Sequence, residues 1–145
     1  MTLASSVHHD GLRFLEGRWS GEGTLRGRPV TSRSECRPSA QGDGALSMRV
    51  ETLRDGAVVH EEDVLWSFDT ARVVRCVTRP RADAEQVWRV RETEPGAWEL
   101  THPSHRWTIR RAPGADAYDE TFESAGPDGA LRPVVVMHHV RDVLP

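Results

Sequence analysis

From Arg18 onward the chain alternates apolar and polar residues with a period of two, and turn residues interrupt it about every ten positions. Ala45–Leu53 shows the pattern cleanly, with Leu46, Met48 and Val50 on one side and Ser47, Arg49 and Glu51 on the other. Such alternation suits a pleated strand with one buried face, since successive side chains point to opposite sides. The same reading predicts strands over Arg18–Arg26, Val30–Pro38, Val58–Phe68, Arg72–Thr78, Gln86–Glu92, Ala97–His102, Arg106–Arg111, Tyr118–Ser124 and Leu131–Val140. Asp55-Gly56, Asp69-Thr70, Glu94-Pro95-Gly96, Pro113-Gly114 and Gly126-Pro127-Asp128-Gly129 supply the turns, and Pro80–Glu85 a longer polar loop.

Helical periodicity is confined to the start. There His8-His9-Asp10 can cap a short helix whose apolar side is Leu12, Phe14 and Leu15 and whose end is Gly17. About ten strands after one short helix predict an all-β fold, an antiparallel up-and-down barrel, because closure removes sticky edges from a sheet of that size. The whole of residues 1–145 is expected to form one barrel domain, with residues 1–10 disordered.

Composition narrows the partners. Net charge is −3 and every one of the 19 basic residues is Arg, spread along all segments. No basic field points to nucleic acid or an anionic membrane surface. The all-Arg usage reads as GC-rich coding. Cys36 and Cys76 are far apart and expected to be reduced, and Met1–Asp10 has no signal-like apolar run, so a cytoplasmic location is expected.

Gly17-Arg18-Trp19 resembles the calycin superfamily, whose lipocalins and fatty-acid-binding proteins open their first strand with Gly-x-Trp. The longer run Phe14-Leu15-Glu16-Gly17-Arg18-Trp19-Ser20-Gly21-Glu22-Gly23 is similar to two bacterial groups: fatty-acid-binding-protein-like barrels, and nitrobindins, which carry haem. The resemblance implies that Gly17 and Trp19 close the base of a lipocalin-like barrel. It also implies that Arg141, on the last strand, lies across Trp19, a cation–π contact of about 0.5–2 kcal/mol. From the nitrobindins it implies haem on a histidine near the last strand, here His138 or, second, His139.

Several residues carry candidate chemistry. His138 and His139 are adjacent on one strand and face opposite ways; His138 shares its parity with Val134, Val136 and Val140 and is expected inside. The alternative is a structural histidine bonded within the fold. His60 and Glu62 share a face with Val64, Trp66 and Phe68, either as a proton-transfer pair or polar anchor, or as solvated residues at the mouth of the barrel. Trp66, Trp98 and Tyr118 are candidate pocket-wall residues, with core packing as the alternative for each Trp. His102 and His105 flank Pro103-Ser104 with the His-x-x-His spacing of some metal sites, but a tight turn rarely converges two imidazoles without a carboxylate or Cys nearby, so an exposed turn is expected. Arg75, Arg89, Arg91, Arg110 and Arg111 are expected mainly on the outer face, because Val74, Cys76, Trp88 and Val90 occupy the opposite parity.

No Ser-His-Asp order, phosphate loop or paired zinc motif occurs. The expected function is therefore binding of a small, largely apolar molecule without turnover, with haem on His138 as the alternative. An enzyme using His60 and Glu62 is a further alternative. A filled barrel forming a homodimer through one face is the last.

Overall fold

A computed structural model describes residues 11–42, 44–68, 72–114 and 116–143. The His8–Asp10 cap, the expected disorder of residues 1–10 and the Asp69-Thr70 turn lie outside the described residues. A 3-10 turn, Gly11–Leu15, precedes ten strands: β1 (Gly17–Leu25), β2 (Arg28–Pro38), β3 (Leu46–Arg54), β4 (Ala57–Ser67), β5 (Arg72–Arg79), β6 (Gln86–Glu94), β7 (Ala97–His102), β8 (His105–Arg111), β9 (Ala117–Ala125) and β10 (Leu131–Arg141). Each strand pairs antiparallel with the next, and β1 pairs with β10, so the sheet closes into a barrel. The all-β barrel expected from the alternation is the fold observed. The helical segment is a single 3-10 turn, too short to complete an α-helix.

Closure brings β1 and β10 unusually close at Gly23. A Cβ there would lie 1.9 Å from the carbonyl oxygen of Val136 and 2.9 Å from the Cα of Met137. Only a residue without a side chain permits that backbone approach. On the opposite side the seam between β5 and β6 is short. It runs from Arg72↔Arg89 to Arg75↔Gln86, and the strands part beyond it.

The floor is built by the N-terminal turn. Leu12 and Leu15 insert from below and Trp19 covers them, all three almost fully buried. The Trp19 indole N–H donates to the Leu15 carbonyl at 2.8 Å, tying strand to turn. Phe14 stacks on Trp98 at 5.7 Å and meets Trp19 and Tyr118 edge-on. Arg141 caps this layer. Its guanidinium lies 4.3 Å from the Trp19 ring centroid, and it donates to the carbonyls of Phe14 and Glu16. The last strand is thereby fastened to the turn before the first.

The outer face explains most of the arginines. Arg33 stands directly across from Glu51, Arg49 from Asp63, Arg91 from Glu99 and Arg106 from Glu123, and each pair forms an ion pair. Exposed pairs of this kind contribute about 0–1 kcal/mol apiece and chiefly favour the observed register.

Candidate cavity site

Above the floor the barrel encloses a cavity of about 380 Å³. Ten strands give a cylinder wider than its side chains fill on one side. The other side is packed: Trp88 meets His102, His105, Trp107 and Phe122 at ring distances of 5.2–6.1 Å. The cavity lies against β2–β4 and β8–β10. Its apolar wall includes Met48, Val64, Trp66, Trp107, Ile109 and Met137. Trp66 and Trp107 stand 5.3 Å apart, their planes tilted by 55°.

Two polar groups interrupt that wall. The first is on β4 and β5. His60 Nε2 lies 3.0 Å from Glu62 Oε1, Arg75 donates to both Glu62 oxygens, and Arg75 Nη1 donates to Gln86 Oε1 at 3.1 Å. Glu62 and Arg75 side chains are only 14% and 11% exposed, which places them inside the barrel rather than in bulk solvent. Burial by itself would raise the Glu62 pKa, but the Arg75 charge and the bonds from His60 and Arg75 outweigh it and bring it down to about 2. A carboxylate held so far down stays ionised, so Glu62 itself is a weak proton acceptor and acts as the partner that orients His60 and Arg75.

The second group is on β9 and β10. His139 Nε2 lies 2.7 Å from Glu120 Oε1, while the Trp107 indole N–H donates to Glu120 Oε2 at 2.8 Å. Tyr118 stacks on the His139 ring at 4.5 Å. Burial and then the nearby Glu120 charge push the Tyr118 phenol well above its ordinary range, so it stays a neutral donor. Ser32 Oγ, Ser34 Oγ, Trp66 Nε1 and His139 Nδ1 are buried without a hydrogen-bond partner. Gly21 makes room for this cluster, since a Cβ there would stand 2.4 Å from Ser32 Oγ and 2.6 Å from His139 Nδ1.

The structure thus distributes the expected residues unevenly. Trp66, Tyr118, His60 and Glu62 line the cavity. Trp98 belongs instead to the floor, stacked on Phe14. The expectation that His138 faces inward is corrected: it is exposed on the outer wall, bonded to Asp119 at 2.7 Å, and His139 is the buried one. The reason is register. Trp19 opposes Arg141 and Gly21 opposes His139, and directly opposed residues share a face. Val136 and Val140, which suggested the other parity, are exposed. Arg75 is likewise inside rather than out, whereas Arg89, Arg91, Arg110 and Arg111 are exposed. Ser32 and Ser34 also face inward: a weakly apolar Val30–Pro38 fits either an edge strand or a strand facing a polar interior, and in the closed barrel it is the second.

These residues do not fit haem. His138 cannot reach the cavity, and the Nε2 of His139 is engaged by Glu120 while its Nδ1 is turned to the β1 backbone at Gly21. Neither histidine presents a free Nε2 to the interior. Among the described residues no cluster of three or more His, Cys, Asp or Glu side chains is arranged to hold a metal ion. None of the described helices is long and apolar enough to cross a membrane.

Neither a protein-family model nor a curated sequence matches the chain. Among solved structures, that of Rv2717c from M. tuberculosis is similar, with a TM-score of 0.61 at 16% sequence identity, over 92% of this chain and 96% of that one. At that identity the likeness extends to the fold: the chain is a closed ten-stranded antiparallel barrel with Rv2717c as a structural neighbour.

Proposed function

We propose that the barrel binds a small, largely apolar molecule in its interior and performs no chemistry on it. The observation that carries this reading is the cavity of about 380 Å³ with indole, thioether and aliphatic walls and a few buried polar atoms. That volume lies toward the lower end of the roughly 300–1,000 Å³ typical of small-molecule sites. It suits a compact ring system better than a long acyl chain. The buried hydroxyls of Ser32 and Ser34 support the same reading, because polar atoms shut away from water call for a hydrogen-bonding group beside them.

The test is a fluorescence titration with the neutral fluorophore N-phenyl-1-naphthylamine, with tryptophan emission as a second readout. Saturable one-to-one binding is expected. It should be abolished by Ser34→Leu, which fills the cavity, and untouched by His138→Ala on the outer wall. Non-saturable binding, or binding indifferent to Ser34→Leu, overturns the reading.

A further inference from the structure

The charges on the cavity wall say which small apolar molecule would fit, given the binding reading above. We infer that the cavity selects a compact apolar molecule bearing a protonated amine, held by the Glu120 carboxylate, and disfavours carboxylates. Two carboxylates face inward, Glu62 on β4 and Glu120 on β9. In the closed strand order these strands stand five places apart, on opposite sides of the ten-stranded cylinder.

Their surroundings differ. Glu62 receives the Arg75 guanidinium through Nε and Nη2, and the remaining Nη1 is bound to Gln86. The Arg75 guanidinium also lies 4.9 Å from the Phe122 ring centroid. Three of its five N–H donors are used in these bonds, and its charge is already paired with that of Glu62. Glu120 has no such partner: its hydrogen bonds are to the neutral Trp107 indole and to the His139 ring. Each carboxylate oxygen offers two lone pairs, so one bond per oxygen leaves Glu120 able to accept more. Its side chain is 21% exposed and lines the cavity.

The inner wall therefore sets two carboxylates, Glu62 and Glu120, against the Arg75 guanidinium; Arg26 is exposed at the β1–β2 turn on the rim. An ammonium group supplies the donors and the charge that Glu120 lacks. The indoles of Trp66 and Trp107 nearby favour a cation through their ring quadrupoles. A carboxylate in the same place meets a like charge with no free counter-ion.

The test is isothermal titration calorimetry at pH 7 with 2-methylnaphthalene, 2-naphthylmethylamine and 2-naphthoate, which share one ring system and differ in the head group. The amine should bind at least about tenfold more tightly than the hydrocarbon, as one charge-assisted hydrogen bond would give. The naphthoate should bind more weakly than either. Glu120→Gln should remove the amine's advantage over the hydrocarbon when both are measured on the same variant, with near-ultraviolet circular dichroism confirming the fold. The ranking on the wild-type protein tests the inference without the variant. Naphthoate as the tightest ligand, an amine no tighter than the hydrocarbon, or an advantage that survives Glu120→Gln overturns it. Hydrocarbon binding without amine preference overturns this inference alone, whereas failure of all three compounds overturns the binding reading with it.

Discussion

Replacing Glu62 by Gln should change how the stability of the barrel depends on acid. The Glu62 pKa falls from an ordinary 4.5 to about 2 in the fold. At 1.36 kcal/mol per pKa unit, that difference corresponds to on the order of 3 kcal/mol of folding free energy. Because the folded-state pKa is depressed, the contribution is complete above pH 4.5 and disappears as pH falls toward 2. Urea unfolding followed by tryptophan fluorescence, repeated from pH 7 to pH 2.5, reads it directly. All other carboxylates titrate in both proteins, so the wild-type minus Glu62→Gln difference isolates this one. The difference should shrink by most of that amount between pH 5 and pH 2.5. Arg75→Met should remove most of that acid-dependent loss, because burial then raises the Glu62 pKa without the compensating cation and folding no longer favours the ionised form. A difference that stays flat across the range refutes the argument that Arg75 and His60 hold this carboxylate ionised.

Gly23→Ala should cost about 2 kcal/mol or more, seen as a drop in Tm, since its Cβ meets backbone rather than a movable side chain. Arg141→Met should destabilise by about 1–3 kcal/mol in urea titrations, losing both the contact with the Trp19 ring and the bonds to Phe14 and Glu16. Burial, reinforced by the Glu16 charge, pushes the Cys36 thiol up to about 12. At pH 8 iodoacetamide should therefore modify the half-buried Cys76 and spare Cys36 until the protein unfolds, as peptide mass spectrometry would show.

The strand set was legible because alternation and turn residues are local signals. Asp55-Gly56 joins β3 to β4 where expected, and Leu46 and Met48 face the core as their spacing suggests. The orientation of β10 was harder, because two cues disagreed. Three valines sharing a parity with His138 pointed one way. The expected contact between Arg141 and Trp19 pointed the other, and it also required His139 to be inside. Register settles such a conflict, since cross-strand neighbours share a face whatever their hydrophobicity. Arg75 was misplaced for a related reason: its strand, Arg72–Arg79, has valines on both faces, so the pattern has no phase. Trp98 was legible as buried but not as floor, because its position depends on Phe14, which a separate segment delivers. Cavity volume was not legible at all. It is the small remainder between the girth of the cylinder and the bulk of many side chains, and no local pattern encodes that remainder.

The pairing of the first strand with the last bears on how the chain is made. On a ribosome, Trp19 to Leu25 emerge long before Val135 to Arg141, the segment that will zip against them. Until then the nascent sheet has an open margin, and the indoles meant for the interior lie within reach of other chains. Synthesis that stalls or terminates before Leu131–Arg141 is made should therefore yield aggregate rather than a truncated but serviceable barrel.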